Sequence, residues 1–94
     1  MIKTFKCQDT ERLANDERTG AFSAGVVKAG RRKLALLDTA TSLDDLRSPP
    51  GNRLEKLKGD RDGQHSIRVN DQFRLCFRWA DGDVHDVEIV DYHD

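Results

Sequence analysis

The second half of the chain alternates apolar and polar positions. In "QFRLCFRW", residues 72–79, one set of alternating positions is apolar and consists of Phe73, Leu75, Phe77 and Trp79. The positions between them are Arg74, Cys76 and Arg78. A period of two predicts a strand with one buried face. The stretches "HSIRVN" and "VHDVEIV" predict two further strands. Tight turns are expected at Asn70-Asp71 and at "ADGD", so the three strands should form an antiparallel meander.

The first half of the chain has a helical period instead. Val27, Leu34 and Leu37 recur at the spacing of one helical face, which predicts a helix roughly over residues 24–41. Ser23 is its expected N-cap, since a serine hydroxyl can accept a hydrogen bond from the first turn.

A shorter, polar helix is expected within "CQDTERLANDER", residues 7–18, with Asp9 or Thr10 as its cap. The stretch that follows, "RTGAFSAG" at residues 18–25, contains two glycines and a serine. It is expected to be a mobile loop.

Three shorter segments complete the predicted outline. Ile2 and Phe5 should anchor a short N-terminal strand. The stretch "DDL" is expected to form one further helical turn, and "RLEKLKG" is expected to contain another short strand. Pro49-Pro50-Gly51 is expected to stop any helix. Helices therefore come before the meander and should pack on one sheet face, which makes the fold class α+β.

Composition limits the size and the location of the protein. The chain has 94 residues, of which 35% are charged and 36% hydrophobic, so a single domain over residues 1–94 is expected. No apolar run is long enough for a membrane helix, and the N-terminus lacks the apolar core of a signal peptide. A cytoplasmic protein without membrane contact is expected. Cys7 and Cys76 are expected to be free thiols, because they are far apart and lack metal-ligand spacing.

The charges are distributed unevenly along the chain. Residues 46–79 carry eight basic and four acidic side chains, whereas residues 80–94 carry six acids and neither lysine nor arginine. A basic middle can attract phosphate, but it is also compatible with an ordinary solvated surface. Phosphate binding is favoured by three of these arginines, Arg68, Arg74 and Arg78. They are expected on the open sheet face, where arginine offers a fork that matches phosphate oxygens.

The last strand is followed at once by Asp91, Tyr92 and His93. Two interpretations are open, a frayed end and an active site built on a strand end. His93 has a side chain whose ordinary pKa is close to neutral, Tyr92 can hydrogen-bond a phosphate, and Asp91 can orient a histidine or act on a proton. In a regular strand Asp91 and His93 share one side and Tyr92 points to the other.

Two stretches together resemble a known family. "LKGDRDGQHSIRVNDQFRLCF" at residues 57–77 and "EIVDYH" at residues 88–93 resemble the HigB-type toxins of the RelE superfamily, from bacterial type II toxin–antitoxin modules. "MIKTF" and "LALLDTATSLDDL" fit the same family. The resemblance implies a RelE-like fold, with two N-terminal helices packed on a mostly antiparallel β-sheet.

The resemblance also implies an activity. Members of the family cleave messenger RNA in the ribosomal A site without a metal or another cofactor, and a partner antitoxin inhibits them. The antitoxin complex, rather than the toxin alone, would contact operator DNA. The catalytic positions implied are Lys58, Arg74, Asp91, Tyr92 and His93. The other arginines of the basic middle are the candidates for RNA binding: Arg53, Arg61, Arg68 and Arg78.

One position departs from the family pattern. Glu55 stands where some members carry a histidine, so Glu55 either replaces that histidine as a base or slows the toxin by its charge. Two other functions stay open. The scaffold also resembles ParE-type toxins, which bind gyrase and cleave no RNA. A non-catalytic module could instead use the basic sheet face to bind nucleic acid or a protein. His65 and His85 are expected to be ordinary exposed or hydrogen-bonded histidines, and no metal site is expected.

Overall fold

The computed structural model describes residues 1–91. It contains two helices, α1 (Gln8–Ala14) and α2 (Ala24–Thr39), followed by four strands. The strands are β1 (Glu55–Lys56), β2 (His65–Arg68), β3 (Phe73–Ala80) and β4 (Asp83–Asp91). They form one sheet in the order β1-β2-β3-β4, and each neighbouring pair is antiparallel. The predicted α+β architecture is confirmed.

Helix α2 begins where the sequence predicts. The hydroxyl of Ser23 accepts a hydrogen bond from the backbone N–H of Val26 at 3.4 Å, and the helix ends at Thr39. Gly30 in its middle meets the sheet closely, since a β-carbon there would lie 3.1 Å from Cδ1 of Ile89. A glycine weakens a helix, and here its missing side chain allows α2 to approach β4.

Helix α1 begins differently from the prediction. Its N-cap is Cys7, which makes no side-chain capping bond. The two residues expected to cap it are used elsewhere: the Thr10 hydroxyl accepts the Ile89 N–H at 3.0 Å, and Asp9 accepts the Thr19 hydroxyl at 2.8 Å. The capping prediction was wrong because both side chains bind distant segments of the chain.

The segment between the helices is tied down at both of its ends. Thr19 binds α1 through Asp9, and the Phe22 ring packs edge-to-face on Phe73 of β3, with 6.0 Å between the ring centres. These contacts attach the predicted loop to α1 and to the sheet.

Both predicted turns of the meander are present. Before β3, the Asn70 side-chain oxygen accepts the N–H groups of Gln72 and Phe73, at 2.9 and 2.7 Å. Between β3 and β4, Asp81 and Gly82 both have positive φ, 54° and 79°, as a two-residue hairpin turn requires. Further along β4, two residues face one of β3, and Asp86 takes a φ of 54° in this bulge.

The main core lies between the helices and one face of the sheet. Its fully buried members come from α1, α2, three strands and the segment between α2 and β1: Leu13, Leu37, Leu46, Ile67, Leu75, Phe77, Val84 and Val87. Trp79 and Phe73 pack against this cluster from the same strand as Leu75 and Phe77, which confirms the apolar side of β3. Burying each of these side chains contributes roughly 1.5–3 kcal/mol.

The N-terminal segment runs beside the free edge of β4 but is not a full strand. Ile2 bridges to Val84 and Phe5 to Val87, both in parallel orientation. The Thr4 hydroxyl accepts the Asp86 N–H at 2.8 Å. The predicted strand is therefore reduced to two isolated bridges. Among residues 1–91, these bridges are the one place where neighbouring segments pair in parallel.

The segment between α2 and β1 forms two short 3₁₀ helices, Leu43–Arg47 and Pro50–Asn52. The first is the predicted extra turn. The second begins within Pro49-Pro50-Gly51, so the expected stop is itself a helical turn. It places Asn52 in a fully buried position, where its amide N–H₂ donates to the carbonyls of Leu46 and Ser48, each at 3.2 Å.

No helix within residues 1–91 combines the length and the hydropathy needed to cross a membrane.

Candidate RNA-binding site

The sheet face turned away from the helices carries polar side chains in register. Glu55, Ser66, Cys76 and Glu88 lie side by side on the four strands, and Arg68 and Arg74 form the next row. The sequence predicted an open face here. That prediction was wrong for the centre of the sheet, because Ser66 and Cys76 are fully buried and Arg74 is only 9% exposed.

Arg74 is held in place by hydrogen bonds on two of its nitrogens. Nε donates to the Ser66 hydroxyl at 2.7 Å, and Nη2 donates to the backbone carbonyl of Arg53 at 2.6 Å. Within residues 1–91 no hydrogen bond engages Nη1. Arg74 is therefore a pre-oriented cation with donors left for a ligand, which is the arrangement that phosphate binding needs.

A surface pocket of about 320 Å³ opens over this guanidinium. Arg53 and Arg68 line it together with Arg74, and the carboxylates present are Glu55 and Asp71. Asp71 forms an ion pair with Arg68 and is almost fully exposed, while Glu55 lies 4.0 Å from Nη2 of Arg74. Three guanidinium groups against two carboxylates leave the pocket positive, so it favours an anion.

Three of the predicted basic site residues lie elsewhere. Arg61 pairs with Glu88 at 2.7 Å, so its charge is matched within the fold. Arg78 is four residues along β3 from Arg74, a distance of about 13 Å in a strand, and it pairs with Asp86 at 3.2 Å. Lys58 is exposed at the start of the 3₁₀ helix Gly59–Arg61 and does not line the pocket. The predicted cluster of Arg68, Arg74 and Arg78 is thus divided, and only the first two meet.

Asp91 lies on the opposite side of the sheet from Arg74. It is the partner of Phe73 across the last regular pair of β3 and β4, so it points towards the helix side. Its carboxylate accepts a hydrogen bond from the Gln72 side chain at 3.0 Å. Tyr92 and His93 lie outside the described residues.

The remaining nucleophilic and titratable candidates do not face the pocket. Cys76 is free and fully buried, and burial raises the pKa of its thiol, which keeps it neutral as a packing residue. His65 was expected to be exposed or hydrogen-bonded and is neither. It is half-buried, its ring stacks on Phe77, and its Nδ1 is buried without a hydrogen-bond partner. Burial, reinforced by repulsion from Lys56, lowers the pKa of His65. His85 lies opposite Arg78, at the far end of the sheet.

Ser66 is the residue of this candidate site that the sequence pattern failed to single out. The alternation of "HSIRVN" places it on the same face as Arg68, and its hydroxyl turns out to orient Arg74. Only the strand register, which sets Ser66 opposite Cys76 and beside Arg74, reveals this role. Among residues 1–91, no three His, Cys, Asp or Glu side chains converge as metal ligands would.

A larger cavity, about 450 Å³, lies on the helix side between α1, α2 and the N-terminal segment. Arg31 pairs with Asp16 at 3.1 Å, and Asp38 accepts the Ile2 backbone N–H at 2.8 Å. This cavity carries two aspartates against one arginine, so the positive charge that an anion needs is found in the smaller, basic pocket.

Comparison with known proteins identifies the family. A family model described as a RelE-like toxin of the type II toxin–antitoxin system HigB matches residues 3–93. Among curated proteins, Toxin HigB-1 of Vibrio cholerae is 48% identical over 68 residues, which are 72% of each chain. Endoribonuclease HigB of Proteus vulgaris is 34% identical over 99% of this chain and 100% of that protein.

Solved structures show the same fold at low identity. The toxin–antitoxin complex YoeB–YefM of Staphylococcus aureus contains a chain with a TM-score of 0.60 and 18% identity, covering 100% of this chain and 99% of that one. A YafQ mutant from E. coli gives a TM-score of 0.61 at 13% identity, with 97% and 93% covered. Taken with the full-length match to the family model, these likenesses show that the chain belongs to the HigB family of RelE-like toxins from type II toxin–antitoxin systems.

Proposed function

We propose that this toxin is a metal-independent endoribonuclease that cleaves messenger RNA during translation in the cytoplasm. The observation that carries the proposal is the fixed guanidinium of Arg74, with Nη1 left for a ligand, in a pocket that Arg53 and Arg68 make positive. A relative over the full length of the chain bears the name Endoribonuclease HigB, which supports the same activity. A cognate antitoxin is the proposed inhibitor, because the type II family works in such pairs and the YoeB relative was solved bound to YefM.

The pocket suits one part of the chemistry especially well. Metal-independent RNA cleavage uses the neighbouring 2′-hydroxyl as its nucleophile and passes through a phosphorane with additional negative charge. A guanidinium that is already oriented stabilises this charge without reorganisation, and such stabilisation is often the largest catalytic contribution. Arg53 and Arg68 would hold the flanking backbone, where arginine binds phosphate oxygens in pairs.

Proton transfer requires further groups. The 2′-hydroxyl must lose a proton, and the leaving 5′-oxygen must gain one. The described pocket contains two carboxylates that could accept a proton, Glu55 and Asp71. Asp71 is paired with Arg68, whereas Glu55 lies near Arg74. We propose His93 as the second proton-transfer group and Tyr92 as a phosphate ligand, because their side chains have the required chemistry.

The test of this function compares free and ribosome-bound RNA. The purified protein is incubated with a defined message, alone or in a stalled ribosomal complex, and new 5′ ends are mapped. We expect new ends inside the translated region only when ribosomes are present. Supercoiling by gyrase is assayed in parallel and should be unaffected. Loss of supercoiling without new RNA ends would instead favour a gyrase-binding toxin, and RNA binding without either effect would favour a non-catalytic module.

Glu55 gives a second prediction. We expect Glu55→His to cleave at least about tenfold faster than the parent, because it removes a carboxylate 4.0 Å from Arg74 and supplies a group that exchanges protons near neutral pH. Single-turnover cleavage of the ribosome-bound message measures the rate. Glu55→Gln is the matched control, since it removes the charge and supplies no base.

The two variants separate the two roles of Glu55. If the carboxylate only lowers the activity by its charge, both variants are faster. If Glu55 is itself the base, Glu55→Gln is slower than the parent while Glu55→His is not. Equal rates for all three proteins would exclude Glu55 from both roles.

A further inference from the structure

Lys33 of α2 lies beside the basic pocket, although it belongs to the helix layer. Its ammonium donates to the side-chain oxygen of Asn52, the residue next to Arg53. The backbone carbonyl of Arg53 is in turn the acceptor for Nη2 of Arg74. The segment at residues 52–53 therefore holds two cations at once, one on each side.

Asn52 is a rigid support for this lysine. Its side chain is fully buried, and both hydrogens of its amide are taken by the carbonyls of Leu46 and Ser48. The remaining oxygen is the acceptor for Lys33. A lysine normally loses considerable side-chain freedom when it binds a ligand, and this contact removes part of that freedom in advance.

The surroundings of Lys33 are cationic, and the carboxylate paired with the neighbouring Arg68 is that of Asp71, which is almost fully exposed. Burial lowers the pKa of Lys33 first, and repulsion from Arg32 and Arg68 lowers it further. Within residues 1–91, no carboxylate forms an ion pair with Arg32, Lys33 or Arg53. Because the Asp71 carboxylate is exposed to water, it offsets this repulsion only in part, and an anion bound between the cations relieves the remainder.

We propose that Lys33 and Arg68 form a second phosphate subsite, which binds the RNA backbone one or more nucleotides away from the phosphate held by Arg74. The RNA would then pass from the pocket over the segment at residues 52–53 towards Lys33 of α2. This inference rests on the proposed ribonuclease function. It adds a residue of the helix layer to the RNA path and gives that path a direction.

The experiment compares RNA of two lengths. Binding of 2′-O-methyl oligoribonucleotides, which cannot be cleaved, is measured by fluorescence anisotropy for a dinucleotide and an octanucleotide over a series of salt concentrations. Lys33→Gln keeps an N–H donor for Asn52 and loses the charge. Lys28→Gln removes an equal charge from an exposed position on the same helix and is the matched control.

We expect Lys33→Gln to weaken octanucleotide binding about five- to tenfold and to reduce the salt slope by roughly 0.7, the value for one contact with a single strand. Dinucleotide binding should stay within about twofold of the parent, because Lys33 does not line the pocket that holds the dinucleotide. Lys28→Gln should leave both affinities within about twofold, and Lys33→Arg, which keeps a cation, should bind the octanucleotide nearly as well as the parent.

Two results would overturn the subsite: an unchanged affinity in Lys33→Gln, or equal losses in Lys33→Gln and Lys28→Gln, which would show an effect of net charge alone. Thermal unfolding of each variant shows whether the chain is folded. If Lys33→Gln does not fold, Lys33→Met replaces it in the binding measurements. Failure of the proposed function looks different, since the parent protein would then leave the ribosome-bound message uncut while octanucleotide binding still depended on Lys33.

Discussion

Replacing Arg74 by alanine should reduce cleavage of the ribosome-bound message by about 10²–10³, the usual effect of removing one pre-oriented donor from a developing negative charge. Arg74→Lys should recover only part of this loss. A lysine keeps the charge but has a single nitrogen, which cannot bind the Ser66 hydroxyl, the Arg53 carbonyl and a phosphate in the arginine geometry. Single-turnover rates on the stalled ribosomal complex measure both variants.

The controls for Arg74 separate catalysis from stability. Arg74→Ala also leaves buried acceptors without a partner, so it should lower the free energy of unfolding by about 1–3 kcal/mol, measured by urea denaturation. Arg47→Ala removes a guanidinium that is 72% exposed and should change neither rate nor stability. Ser66→Ala tests the positioning role: it should lower the cleavage rate while all the charges remain. A fully active, folded Arg74→Ala protein would contradict the proposed site.

Ending the chain at Asp91 should lower cleavage by at least about 10², because the truncation removes His93, the proposed proton-transfer group. Within residues 1–91, the basic pocket contains no histidine. His65 is half-buried against Phe77 and His85 lies at the far end of the sheet, so neither can replace His93 without a rearrangement. New RNA 5′ ends are mapped after expression from a tightly controlled promoter.

The matched control for the truncation is a chain that ends at His93 and lacks only Asp94. It should cleave as the parent does, and circular dichroism should show both shortened chains folded. His93→Gln and Tyr92→Phe then divide the loss between the two side chains. Asp91→Asn should have a small effect, since Asp91 faces the helix side and binds Gln72. If the folded chain ending at Asp91 cleaved like the parent, catalysis would have to reside within the described pocket.

The sequence predicts the helices and the meander because their signals are local. Ser23 caps α2 through contacts three residues away, and the alternation of β3 is written into eight consecutive residues. The two wrong caps of α1 show the limit. Thr10 binds the N–H of Ile89, which is 79 residues away, and no local pattern indicates such a partner.

The same distinction explains the site. Alternation correctly places Arg68 and Arg74 on one face, but it cannot tell which arginines are paired with acids. Arg61 meets Glu88 across 27 residues, and Arg78 meets Asp86 where a bulge interrupts β4. The burial of Arg74 depends on Ser66 and on the Arg53 carbonyl, and hence on register and loop course. The charge composition alone cannot distinguish the arginines that are paired with acids from those that are available to bind an anion.

The pairing of residues 2–5 with β4 has a consequence for biosynthesis. Thr4 and Asp86, which hydrogen-bond to each other, are separated by 82 residues. At the usual rates of elongation, the ribosome adds Asp86 on the order of 4–16 s after Thr4. Until then β3, which carries Arg74, has no neighbour on one side. A nascent chain therefore lacks the completed sheet around β3 until nearly all of its residues have been synthesised.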